Sequence, residues 1–137
     1  LFSGKKLFVM DISNTVLLVD EDEVMHYLVQ IILNKFKTTG KSKSVSSGEE
    51  ALEYLQKNAS ENNFPKLIVT SLTLGNPKEI DLIKSIVGMK YYSSGKTEII
   101  VLTPNPTNKL TTELKALGVS QVLKRPELPE GFSRLRS

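Results

Sequence analysis

Five side chains in this 137-residue sequence could do chemistry together: Asp20, Glu21, Ser71, Thr103 and Arg125. Adjacent carboxylates such as Asp20 and Glu21 are hard oxygen donors of the kind that Mg²⁺ takes. A serine hydroxyl is a weak nucleophile until a base removes its proton. A threonine hydroxyl can touch a ligand or bond to nearby backbone. Arginine carries a planar fork of donors able to hold a carboxylate in two places. These residues are scattered along the chain, and each stands at or just past the end of an apolar run. Only a fold that gathers strand ends would bring them together.

The runs supply such a fold. Val16–Val19 in "TVLLVDEDE" is continuously apolar, as expected of a strand covered on both faces. Val24, Met25, Leu28, Val29, Ile31, Ile32 and Phe36 follow at helical spacing, with Asp22 as the expected N-cap. Gly40 breaks that pattern, and "KSKSVSS" reads as a short polar second strand. Ser47 and Glu50 have capping-box spacing ahead of Ala51, Leu52 and Leu55. "LIVTSLTL" is a third strand, and Asn76-Pro77 predicts the next helix, with Ile80, Leu82, Ile83, Ile86 and Val87 as its apolar face. "TEIIVLTPNP" is a fourth strand, and Asn105-Pro106 repeats the cap-then-proline signal. Leu110, Leu114 and Leu117 line the fourth helix, which Gly118 should stop. "VSQVLKRP" is a fifth strand, and the tail has room for only a short last helix. Alternating strands and helices imply a parallel α/β sheet with right-handed crossovers, whose ligands bind beyond the carboxyl ends of the strands.

Bulk properties narrow the function. The length suits a single domain with a real core. Cysteine is absent, which excludes disulfides and thiolate metal sites and fits a reducing, cytoplasmic setting. A formal charge of +3, from 18 basic and 15 acidic side chains interspersed, does not call for nucleic acid. No apolar run reaches membrane-spanning length. The opening "LFSGKKLFVMDIS" is loosely like a targeting signal, but its apolar stretch is too short. The first 14 residues have no clear place in the pattern and are read as an arm, an extra edge strand or a linker, and the chain as a fragment or processed product.

The order and spacing of these motifs resemble the receiver domain of bacterial two-component response regulators, over about residues 15–128. "VLLVDEDE" looks like that family's first strand with its acidic pair, at Asp20 and Glu21. "SSGEEALEYL" is similar to its second helix. "FPKLIVTSLTL" resembles the segment that carries the phosphorylated aspartate, and Ser71 stands at that position. "IIVLT" supplies the family's threonine at Thr103, and "GVSQVLKRP" resembles the closing segment, with Arg125 in the lysine position. The resemblance implies a flavodoxin-like, doubly wound sheet of five parallel strands in the order 2-1-3-4-5, with residues 15–137 as the receiver-like domain.

The departures from the family pattern imply a lost switch. Receivers accept a phosphoryl group on a carboxylate, which serine lacks, and no base for Ser71 is evident in the sequence. Two of three carboxylates remain, so Asp20 and Glu21 are weak Mg²⁺ candidates and no cofactor is expected. Arg125 is expected to pair with Asp20 or Glu21 in place of a metal ion, whereas strand alternation sends Lys124 to the opposite face. Val122 stands where the family often has an aromatic reporter and is too short for that role. Glu79 replaces a loop glycine, and Pro104 removes a backbone donor after Thr103. The expectation is a non-enzymatic, phosphorylation-independent pseudo-receiver, a signalling module in a bacterial phosphorelay. Its expected partners are a histidine kinase, an output domain or another regulator, with homodimers through the fourth helix, fifth strand and tail. Alternatives are a phosphate- or flavin-binding flavodoxin-like protein, or a receiver with residual switch function. Bland readings stand beside these: Ser71 as a small strand-end residue, Thr103 bonded to backbone, His26 as an ordinary surface or half-buried side chain.

Overall fold

A computed structural model describes residues 16–35, 42–60, 63–71 and 77–125. Five strands alternate with four helices: β1 (Val16–Val19), α1 (Glu23–Lys35), β2 (Ser42–Val45), α2 (Gly48–Asn58), β3 (Leu67–Ser71), α3 (Pro77–Val87), β4 (Glu98–Thr103), α4 (Asn108–Leu117) and β5 (Gln121–Lys124). All neighbouring strands pair in parallel, in the order β2-β1-β3-β4-β5. The doubly wound sheet expected from the sequence is the one that forms. Its strand order reverses between β1 and β3, which opens a crevice at their carboxyl ends.

The apolar runs are buried because both faces of the central strands are covered. Leu17, Ile68 and Ile99 are paired across β1, β3 and β4, and none retains measurable exposure. They share a core with Ala51 and Leu55 of α2, Ile83 and Ile86 of α3, and Leu114 of α4. On the opposite face, Val16, Leu18, Leu67, Val69, Ile100 and Leu102 pack with Met25 of α1. Edge strand β2 is different: Ser42, Lys43 and Ser44 are exposed and only Val45 is buried. That explains why its sequence is polar.

Helix starts follow local chemistry. Asp22 accepts the Val24 N–H at 2.9 Å and caps α1, as expected. Ser47 Oγ accepts the Glu50 N–H at 3.1 Å, while the Glu50 carboxylate accepts the N–H of Ser46, one residue ahead of the cap. α3 begins at Pro77 as predicted, whereas Asn76 lies outside the described residues. For α4 the expectation is corrected. The cap is Thr107, whose Oγ1 accepts the Leu110 N–H at 3.1 Å, so the helix starts two residues beyond Pro106. The proline signal marked the approach to the helix and not its first turn. Residues 1–14, Phe36, Gly40, residues 72–76 and those beyond Arg125 lie outside the described residues, as do the side chains of Val29, Ile32 and Glu79.

Gly118 stops α4 with φ 115° and donates its N–H to Leu114 and Lys115 carbonyls. A Cβ there would lie 3.3 Å from the Tyr92 hydroxyl and 3.4 Å from Val87 Cγ1. Gly118→Ala therefore combines backbone strain with crowding, and we expect a loss of about 2 kcal/mol in urea unfolding. An unchanged midpoint would show that the turn relaxes freely. The two tyrosines before "SSGK" part company: Tyr91 is exposed, while Tyr92 packs edge-on against Phe64 at 6.2 Å. Burial pushes the Tyr92 phenol up from its ordinary range.

Candidate functional site

The site forms where β1 and β3 end. Asp20 directly follows β1, and its N–H donates to the Val45 carbonyl at 3.0 Å, extending the ladder by one step. Its carboxylate is buried and held on all sides. The Asp22 N–H donates to Oδ1 at 2.8 Å, and the Ser71 hydroxyl donates to Oδ2. Arg125 Nη2 lies 3.4 Å from both oxygens. A carboxylate offers about four lone-pair sites, and these contacts use them. His26 completes the corner, its Nε2–H donating to the Asp20 carbonyl at 2.6 Å.

Arg125 reaches this point from the other side of the sheet. Its own N–H donates to the Thr103 carbonyl at 2.8 Å, which anchors it just past β5. Strands β1 and β5 are three ladder spacings apart, about 14 Å. That span is shared by the arginine side chain, the shorter Asp20 side chain and the 3.4 Å contact between them. Its contact differs from the two-nitrogen fork that the sequence suggested. One nitrogen straddles both Asp20 oxygens and also lies 3.8 Å from Asp22 Oδ2. The second acid of the cluster is thus Asp22, where the sequence had pointed to Glu21. Glu21 is exposed on the rim, because the turn into α1 carries it outward and brings Asp22 back. Lys124 is exposed.

Ser71, the last residue of β3, corrects another expectation. A base does touch its hydroxyl, namely Asp20. That carboxylate is also engaged by Arg125 and the Asp22 N–H, so proton removal would have to compete with both. Thr103 is fully buried, and its Oγ1 has no hydrogen-bond partner among the described residues. It therefore does not fit the backbone-bonded reading. Val122 is half-buried against the core. Pro104 is exposed at the cavity edge, which places its missing N–H beside the cluster.

A cavity of about 810 Å³ opens over the cluster between the start of α2 and one side of α3. Besides Asp20, its lining includes Glu21, Asp22, Glu49 and Asp81, and among the described residues Arg125 is the one cation there. So acidic a wall repels phosphate, which disfavours the phosphate- and flavin-binding alternatives. It also fails as a metal cage. Among the described residues no group of three His, Cys, Asp or Glu could hold a metal ion. The one buried carboxylate has its oxygens committed, and a guanidinium already stands against it. The sequence offered little sign of Asp22, His26 or the α2 and α3 walls. Only the two-residue spacing from Asp20 to Asp22 could have drawn attention to the former.

With this geometry in view, the solved structures that the chain resembles are informative. A two-component response regulator from Cytophaga hutchinsonii superposes with a TM-score of 0.71 at 18% identity, covering 90% of this chain and 93% of the other. A two-component response regulator from Legionella pneumophila gives a TM-score of 0.65 at 27% identity, covering 89% and 93%. The Mn²⁺-bound form of response regulator Rcp1 gives 0.66 at 21%, covering 89% and 88%. No family model and no curated protein matches the sequence. The class defined by sheet order and these likenesses is the flavodoxin-like α/β fold. Within it, the chain has the receiver fold of two-component response regulators. Among the described residues no helix is long and apolar enough to cross a membrane.

Proposed function

We propose that this chain is a pseudo-receiver: a receiver-fold signalling module, spanning residues 15–137, that acts through protein contacts without aspartyl phosphorylation and without catalysis of its own. One observation carries this reading. At the carboxyl end of β3, where a receiver needs a carboxylate, Ser71 offers a hydroxyl that donates to Asp20. A serine there cannot form the acyl phosphate on which a receiver switch depends. Arg125 supports the same reading, since it already occupies the acid that would otherwise help to hold a metal ion. Any Mg²⁺ binding through Asp20 and Glu21 is accordingly weak. The partners that fit are proteins of a bacterial cytoplasmic phosphorelay: a histidine kinase, an output domain, another regulator or a second copy. α4, β5 and residues beyond 125 are the surface we assign to them.

Incubation with acetyl phosphate and Mg²⁺, followed by intact-mass measurement, tests the proposal. The unaltered protein should gain no hydroxylamine-sensitive phosphoryl group. Ser71→Asp should regain only a slow, partial modification, because Arg125 still competes for Asp20. A labile phosphoryl group on the unaltered chain would overturn the proposal.

A further inference from the structure

We infer that Arg125 is a tethered cation that closes the acidic pocket to divalent metal ions, so that the site is held in one state by its own chain. This deepens the pseudo-receiver reading and rests on it. One guanidinium nitrogen stands 3.4 Å from Asp20 Oδ1, 3.4 Å from Asp20 Oδ2 and 3.8 Å from Asp22 Oδ2. Three carboxylate oxygens thus face it at ion-pair distances, the closer two as long hydrogen bonds. Mg²⁺ requires oxygens at about 2.0–2.1 Å in near-octahedral order, so the same oxygens would have to close in around it. They could do so only after Arg125 left, and no lone pair of Asp20 is free to begin the exchange. The Asp22 N–H and the Ser71 hydroxyl occupy the remaining acceptor positions.

Electrostatics gives the same sign. A bound divalent ion and the Arg125 charge would be a few ångström apart beside a buried carboxylate, where repulsion is poorly screened. The backbone anchor at the Thr103 carbonyl keeps the arginine near the pocket even when its side chain lets go. Rebinding is therefore intramolecular and fast compared with capture of a dilute ion.

Mn²⁺ is the probe. Free Mn²⁺ would be followed by its electron paramagnetic resonance signal, with unaltered protein, Arg125→Gln and Arg125→Gln/Asp20→Asn in parallel. The unaltered protein should bind no Mn²⁺ at about 1 mM. Arg125→Gln should bind at least about tenfold more tightly, and the Asp20→Asn change should abolish that gain. Equal affinity of unaltered protein and Arg125→Gln would overturn the inference. Should the variant fail to fold by circular dichroism, paramagnetic broadening of amide signals in the unaltered protein decides instead. Selective broadening at residues 20–22 and 71 would refute the closed pocket, and its absence supports it. Mn²⁺ binding to the unaltered chain would leave the pseudo-receiver reading standing, because only a labile phosphoryl group overturns that.

Discussion

Asp20→Ala is expected to lower folding stability by about 3 kcal/mol, read as a shift of the urea midpoint at unchanged slope. Two effects oppose each other at this position. Asp20 shares a cavity with Glu21, Asp22, Glu49 and Asp81, so removing its charge relieves repulsion. Those other acids are in contact with solvent, where an ion–ion contribution is usually under about 1 kcal/mol. Against this, the Asp20 side chain is only 1% exposed and accepts from the Asp22 N–H, the Ser71 hydroxyl and Arg125. Its loss strands three donors, each costing about 1–3 kcal/mol if it finds no other partner. Arg125 is 25% exposed and can turn partly to water, which moderates the total. The loss of hydrogen bonds should therefore win. Pairing Asp20→Ala with Arg125→Ala should cost less than the sum of the two, because the second change removes a donor already stranded. A more stable Asp20→Ala protein would mean that repulsion dominates the site.

Ile68→Ala should be the most damaging single change, at about 4 kcal/mol. Ile68 lies in the middle of the central strand β3, between Leu17 and Ile99, and has no exposure. Truncation leaves a void among side chains fixed by strands on both sides and by α2, α3 and α4 above, so collapse into it is limited. Domains of this kind have about 5–15 kcal/mol of stability, so this one substitution would remove a large part of it. Thermal unfolding by circular dichroism would show the drop directly. A loss below about 1.5 kcal/mol would indicate a loosely packed core, inconsistent with the observed burial.

These two expectations arise at different levels of the structure. The Ile68 result is implicit in the chain itself: Leu67, Ile68 and Val69 are consecutive apolar residues, and a strand of that composition needs cover on both faces. The same local logic identified all five strands, the caps at Asp22 and Ser47, Pro77 as a helix start and Gly118 as a stop. Capping reaches only three residues, so neighbours in sequence suffice to define it. It failed at Thr107 because two possible caps stood two residues apart, and the choice between them depended on how the chain leaves β4.

The site was only half legible. Asp20, Ser71, Thr103 and Arg125 could be placed at strand ends because side-chain alternation and strand length are local properties. What they touch was decided by tertiary structure. The turn into α1 sends Glu21 outward and returns Asp22 to the cluster. Parallel register brings Ser71 against Asp20, 51 residues away. Arg125 meets Asp20 across 105 residues because β5 lies on the far side of two strands and runs on past Val122, which stands level with the end of β1 at Val19. Sequence alone determined the sheet and the serine, in place of any carboxylate, at the end of β3, since both follow from residue types in order. Which acid receives the arginine depends on distances between strand ends, and those exist only once the sheet has closed around its core.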